Sequence, residues 1–129
     1  MNEESLSKAG KVVAFYSFKG GTGRTMALAN VGCVLSETAS RPILLVDWDL
    51  EAPGLHRYFA GRMHRSTGRS EGDFSQTPGL IDLISELFEE LKGFSDKQRN
   101  DFEFIRDWLR QVQLSRFILP TDLPHLSLM

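Results

Sequence analysis

The sequence predicts an α/β fold in which helices cover both faces of a mostly parallel sheet. Residues 11–18 form a nearly continuous β-prone run that ends in glycines, and residues 43–47 form a second short apolar run. Both runs are typical of strands buried on both faces of a parallel sheet. Residues 25–37 lie between them, contain no proline and are rich in apolar side chains, so we expect a mostly buried helix there despite Gly32. Strand, glycine loop, helix and strand make a βαβ unit with a right-handed crossover.

Beyond this unit the pattern changes. Residues 61–79 are rich in Gly, Ser, Thr and Arg without an apolar period, which indicates a long loop. Residues 80–91 have the spacing of an amphipathic helix, with Pro78 placed to enter its first turn. A second helix follows, because Ser95 and Gln98 have the spacing of a capping box and apolar residues between 102 and 112 line one face. Residues 126–129 have the pattern of another strand.

Composition excludes several classes of protein. The net charge of −2 provides no basic field, so nucleic acid is not indicated as a partner. The acidic, polar start is unlike a secretory signal, and we expect residues 1–10 to be a disordered tail. The apolar runs are too short for a membrane segment, so we expect a cytoplasmic protein. Cys33 is the only cysteine, which excludes an internal disulfide and a cysteine-bound zinc or iron–sulfur cluster.

The glycine loop before the first helix has the composition of a phosphate-binding site. Glycine adopts backbone angles that are closed to other residues and has no Cβ to obstruct phosphates, and a helix N-terminus offers N–H groups to an anion. Arg24 lies where a lysine usually binds the phosphates, and Thr25 lies where a hydroxyl coordinates Mg²⁺. The candidate ATP-binding residues are Lys19, Gly20, Gly21, Thr22, Gly23, Arg24 and Thr25.

The ordinary P-loop pattern G-x-x-x-x-G-K-[ST] is not met, because Phe18 stands at its first glycine and Arg24 at its lysine. The loop instead resembles the deviant Walker A signature K-G-G-x-G-K-[ST] of the ParA/MinD/nitrogenase-iron-protein (SIMIBI) class of P-loop ATPases. Residues 43–49 resemble the V-L-L-V-D-x-D strand of that class. Residues 15–25 and 46–55 are closer still to a bacterial subgroup that reads F-Y-S-F-K-G-G-x-G-R-[ST] and V-D-W-D-L-E-A-P-G-L.

This resemblance implies a Mg-ATP-dependent dimerisation switch. Lys19 matches a lysine that reaches across a homodimer to the partner's nucleotide, Asp49 would orient the attacking water, and Asp47 would hold a Mg²⁺-bound water. Asp47, Asp49 and Glu51 alternate, so an extended backbone would aim all three carboxylates to one side at the end of the second strand. The alternative is that these residues cap the next segment, and Glu51 matches no chemical role.

Two other functions stay open at this point. Because arginine is bulkier than lysine, Arg24 puts the geometry of phosphoryl transfer in doubt, and a scaffold that senses ATP without hydrolysing it is one alternative. A metabolic ligase related to dethiobiotin synthetase is the other. The family also implies a later strand ending in Asp and a switch segment, and neither occurs before Met129. We therefore expect residues 11–129 to be the N-terminal part of an ATPase domain that hydrolyses little ATP alone and acts with a protein partner or an attached C-terminal module.

Overall fold

The computed structural model describes residues 10–62 and 78–129. Nearly all of the predicted tail, residues 1–10, and most of the predicted loop, residues 61–79, therefore lie outside the described residues. In chain order the elements are α1 (Arg24–Thr38), β1 (Ile43–Leu45), α2 (Leu55–Tyr58), a 3₁₀-helix (Ala60–Arg62), α3 (Leu80–Lys92), α4 (Asp96–Arg99), α5 (Phe102–Leu109), a second 3₁₀-helix (Leu114–Phe117), β2 (Leu119–Pro120) and β3 (Leu126–Leu128).

The strands of the described residues form one small mixed sheet in the order β1-β3-β2. β1 and β3 are parallel, with Ile43 opposite Leu126 and Leu45 opposite Leu128, whereas β2 runs antiparallel to β3. The ladder extends past β1, because Met129 N donates to Leu45 O at 2.9 Å and Asp47 N donates to Met129 O at 2.9 Å. The predicted strand at 126–129 is thus confirmed, while a larger, mostly parallel sheet stays a prediction.

Two apolar clusters lie on opposite faces of this sheet. Leu45 and Leu128 belong to one cluster, and the next residues, Val46 and Met129, belong to the other. Successive side chains of extended backbone point to opposite faces, so the two clusters are separated by the sheet. The first cluster holds α1 and α2 through Ala29, Leu55, Phe59 and Leu126. The second holds α3 and the second 3₁₀-helix through Leu80, Leu83 and Phe117.

The first helix agrees with its prediction in extent but not in burial. It spans Arg24–Thr38 without a proline, and its buried residues are Ala29, Gly32 and Ser36. Val34 is 63% exposed. The helix is therefore covered on one side only, because the small sheet lies against one of its faces. None of the helices in the described ranges is long and apolar enough to cross a membrane.

The helices of the second half differ from their prediction in one place. Gly79 precedes α3, so Pro78 lies just before the helix and not in its first turn. The Ser95–Gln98 capping box is confirmed, with Gln98 N donating to Ser95 Oγ at 3.4 Å. The single helix expected after it is wrong, because Asp101 starts a new helix by accepting the N–H of Phe104 at 3.1 Å. A side chain that caps a helix start in this way stabilises a break in the preceding one.

The predicted first strand is not formed. Residues 11–18 pair with no strand among the described residues, and Val12 and Phe18 are 98% and 95% exposed. A strand needs a neighbour to satisfy its backbone N–H and C=O groups, and its apolar side chains need a face to cover. β1 pairs with β3 along one edge only, and residues 11–18 do not occupy the other. The β-prone run is therefore mostly exposed chain without strand pairing in this structure, and the expectation of a strand buried on both faces is wrong for it.

Candidate functional site

The glycine loop leads directly into α1 through two left-handed glycines. Gly21 has φ 71° and Gly23 has φ 81°, backbone angles at which other residues are strained. Gly23 is also the N-cap of α1, and Ala27 N donates to its carbonyl at 2.8 Å. Because no side chain caps this helix, the N–H groups of its first turn keep their capacity to bind an anion. A Cβ built at Gly20 or Gly21 would meet nothing within 4 Å, so this side of the loop is open.

The loop is closed on itself by a residue that the sequence did not single out. Ser17 Oγ donates to Lys19 O at 2.8 Å and lies 2.7 Å from Thr22 Oγ1. Arg24 Nη1 donates to Ser17 O at 3.1 Å, so the side chain at the start of α1 returns to the chain before the loop. No motif marks this role of Ser17, because it depends on distances that only the folded loop sets.

Lys19 and Thr25 stand at the two ends of the loop. Lys19 is exposed, and its ammonium group makes no ion pair with the described residues. Thr25 is half-buried as the second residue of α1. The two side chains are thus available for contacts outside the loop, one in solvent and one at the helix start.

Asp47 is bound into the fold by its carboxylate. Its Oδ2 accepts the N–H groups of Gly54 and Leu55 at 2.8 and 2.9 Å, and its Oδ1 accepts that of Asp49 at 3.2 Å. Since α2 begins at Leu55, Asp47 caps the segment that leads into this helix. Asp47 therefore makes the capping contacts that the alternative expects, and such contacts do not by themselves prevent a second role.

The three acidic residues do not lie on one continuous strand. The ladder reaches Asp47, but Leu50 N donates to Trp48 O at 3.1 Å and the backbone bends at residues 50–52, so the alternation of an extended strand does not continue to Glu51. Asp49 Oδ1 accepts the N–H of Ala52 at 3.3 Å, whereas Glu51 is exposed. Within residues 10–62 and 78–129, no three His, Cys, Asp or Glu side chains come close enough to hold a metal ion together.

The path of the chain from α1 into β1 indicates that the glycine loop and Asp47 lie toward the same end of the sheet. Residues 39–42 connect α1 to β1, and a Cβ at Gly32 would lie 2.6 Å from Leu45 Cδ1, which fixes where the helix crosses the strand. From that crossing, α1 runs back about 12 Å to Arg24, at 1.5 Å per residue. The strand direction runs forward about 7 Å to Asp47, at about 3.3 Å per residue. Residues 39–42 reverse the chain between α1 and β1, from which we infer that the loop precedes α1 at the end where Asp47 follows β1.

Comparison with known proteins gives partial similarities to one family. The chain is 48% identical over 42 residues to the virulence plasmid ParA family protein pGP5-D of Chlamydia psittaci, which covers 33% of this chain and 16% of that protein. It is 27% identical over 110 residues to the protein of the same name from Chlamydia trachomatis, which covers 81% of this chain and 37% of that protein. No family model and no solved structure matches.

These similarities indicate a ParA-like relation. The chain spans less than two fifths of the length of either relative, so they bear on part of those proteins only. The deviant Walker A class and the bacterial subgroup remain predictions from the loop residues. Over the aligned residues, the chain is similar to ParA family proteins.

Proposed function

We propose that the glycine loop binds Mg-ATP and that the protein is a ParA-like ATPase that acts as a nucleotide-dependent dimerisation switch. The observation that carries the proposal is the pair of left-handed glycines, Gly21 and Gly23, at the uncapped start of α1. Backbone of this shape lets N–H groups converge on an anion. The similarity to ParA family proteins supports a nucleotide as the source of that anion.

The side chains around the loop fit a phosphate chain with its Mg²⁺. The N–H groups of the loop and of the first turn of α1 would receive phosphate oxygens, and the guanidinium of Arg24 would add positive charge. The hydroxyl of Thr25 would coordinate the metal. The metal, when bound, supplies charge neutralisation on the phosphates. These groups lie between Lys19 and the end of the first turn of α1, so one short stretch of backbone presents them together.

The capping contacts of Asp47 leave room for the role that the resemblance implies. An ionised carboxylate offers about four lone-pair sites, and backbone N–H groups take three of those on Asp47. One site on Oδ1 remains for a Mg²⁺-bound water. Asp49 Oδ2 accepts no hydrogen bond from the described residues, so it can orient a water for attack.

One observation favours a second candidate, a sensor that binds ATP without turnover. Arg24 Nη1 is already bonded to Ser17 O, so this guanidinium is partly held by the loop. Phosphoryl transfer depends on positioning and charge placement, and a held guanidinium restricts how it follows the transferring group. Phosphate release by the protein as it occurs naturally, at saturating Mg-ATP, separates the two candidates: sustained release supports the ATPase, and binding without release supports the sensor.

Gly21→Val tests the site itself. Valine at φ 71° is strained, and its branched side chain would project from the loop into the place proposed for the phosphates. We expect titration calorimetry to show no Mg-ATP binding by this variant. Gly10→Val is the matched control, because a Cβ at Gly10 would also meet nothing within 4 Å, φ there is not left-handed, and the residue lies outside the loop. Equal affinity of both variants would exclude this loop as the ATP site.

A further inference from the structure

Ser17 is the residue on which the glycine loop closes. Its side chain contacts Lys19 O and Thr22 Oγ1, and its own carbonyl accepts from Arg24 Nη1. Three contacts thus join Ser17, which precedes the loop, to Lys19, to Thr22 and to Arg24 at the start of α1. Residues 19–22 of the loop are exposed, so few other contacts within the described residues fix the shape of this part.

The direction of these hydrogen bonds follows from the number of hydrogens. A hydroxyl has one hydrogen to donate and lone pairs to accept. With Ser17 Oγ donating to Lys19 O at 2.8 Å, the 2.7 Å contact between the two hydroxyls is satisfied when Thr22 Oγ1 donates to Ser17 Oγ. The other acceptor for Thr22 is Lys19 O at 3.4 Å, a longer and weaker contact. Ser17 Oγ therefore accepts from Thr22 and donates to Lys19 O at the same time. Removal of the Ser17 hydroxyl takes away both hydrogen bonds.

Arg24 completes the closure without exhausting its donors. A guanidinium carries five N–H groups in a rigid plane, and the bond to Ser17 O uses one of them. The opposite edge keeps the paired donors that bind two phosphate oxygens. A lysine at this position has a single ammonium on a flexible stem. One nitrogen would then have to donate both to the Ser17 carbonyl and to a phosphate.

We propose that Ser17 is a positioning residue that, with its carbonyl bonded to Arg24 Nη1, holds the loop in its phosphate-binding shape before the nucleotide arrives, an inference that rests on the function proposed for the loop. Ordering a loop costs conformational entropy at the moment of binding unless other contacts have already ordered it. The closure on Ser17 moves that cost into folding. Loss of the Ser17 hydroxyl then weakens binding while it leaves the reaction of the bound nucleotide unchanged.

The test uses Ser17→Ala, Ser17→Thr and a control in the naturally occurring protein. ¹⁵N relaxation of Gly20 and Gly21 measures loop order without ligand, and calorimetry and phosphate release measure Kd and turnover with Mg-ATP. We expect Ser17→Ala to lower the order parameters of these glycines toward the flexible range, below about 0.6. We expect it to raise Kd about two- to tenfold, the factor given by the net contribution of one hydrogen bond. Turnover at saturation should be unchanged, and Ser17→Thr should restore both values.

Thr38→Ala is the control, because Thr38 Oγ1 donates to Val34 O at 3.0 Å at the far end of the same helix. It should change neither loop order nor Kd. The inference is overturned if Ser17→Ala keeps the loop order and Kd of the parent, or if it lowers turnover at saturation with Kd unchanged, since Ser17 would then act in the reaction itself. If the parent binds no Mg-ATP, the proposed function fails separately, and unchanged order parameters in Ser17→Ala would still overturn the closure.

Discussion

At the scale of single residues, Asp47 shows how one side chain serves the fold beside the candidate site. Its carboxylate accepts three backbone N–H groups, one of them from Leu55, which is 1% exposed. A buried N–H without an acceptor costs about 1–3 kcal/mol, more than the net gain from an ordinary hydrogen bond. The acidic residues around position 47 predict a site, but not that Gly54 and Leu55, seven and eight residues away, donate to Asp47.

We predict that Asp47→Ala lowers the free energy of unfolding by about 1–3 kcal/mol, because the N–H groups of Gly54 and Leu55 lose their acceptor. Asp47→Asn should lose less, since its amide oxygen can still accept both, although its NH₂ faces the N–H of Asp49. Urea denaturation measures the difference. Asp122→Ala is the control, because Asp122 is exposed and its side chain makes no hydrogen bond with the described residues. Equal losses for Asp47→Ala and Asp47→Asn would show that the carboxylate charge matters and the capping contacts do not.

At the scale of elements, Gly32 explains how α1 lies so close to β1. A Cβ there would come within 2.6 Å of Leu45 Cδ1 and 3.2 Å of Leu45 Cδ2, and Leu45 is 5% exposed. Glycine inside a helix costs about 1 kcal/mol relative to alanine, so its presence needs a reason in packing. The reason is the side chain of Leu45, which occupies the space of the missing Cβ.

We predict that Gly32→Ala lowers the free energy of unfolding despite its better helix propensity. Overpacking a core costs about 1–3 kcal/mol, against a gain of about 1 kcal/mol from propensity. Thermal denaturation measures the net loss, and the same substitution in a Leu45→Ala background should stabilise, because the clash is removed. Asn30→Ala, an exposed position of the same helix, should stabilise in both backgrounds. Stabilisation by Gly32→Ala in the parent would contradict this packing.

Elements that depend on local pattern could be predicted, and those that depend on a partner could not. α1, α3, β1 and β3 appear where periodicity and apolar runs place them, within a few residues. Residues 11–18 have an equally strong β-prone pattern, yet no described strand pairs with them. The same division holds at the candidate site. The glycine positions could be predicted from the sequence, whereas Ser17 and the contacts of Asp47 depend on distances that only folding sets.

At the scale of the whole molecule, the described residues leave much apolar surface uncovered. Phe18 is 95%, Phe102 77% and Val34 63% exposed, on three separate segments. Single exposed apolar residues are ordinary, but such surface is also what association between chains covers. The small net charge of −2 opposes association only weakly. These properties permit the proposed dimer, and the candidate residue for its ATP dependence is Lys19.

We predict that Lys19→Ala leaves ATP binding by a monomer within about twofold of the parent, a difference of about 0.4 kcal/mol, yet prevents ATP-driven dimerisation. Lys19 is exposed at the start of the loop and makes no ion pair with the described residues, so its loss removes no contact that shapes the monomer. A charge that stabilises a nucleotide bound by the partner acts only when two copies meet. Calorimetry measures the affinity, and light scattering with and without Mg-ATP measures the dimer.

Lys11→Ala is the matched control for that experiment. Lys11 is also an exposed lysine that precedes α1 in the chain, but it lies outside the loop. It should dimerise with ATP as the parent does, which shows that the loss of one positive charge is not the cause. If Lys19→Ala also dimerises like the parent, Lys19 has no role across the interface. If the parent itself stays monomeric with saturating Mg-ATP, the switch is wrong even where the loop binds nucleotide. The two outcomes separate a wrong role for Lys19 from a wrong function for the protein. In the first the parent still dimerises with Mg-ATP, and in the second it does not.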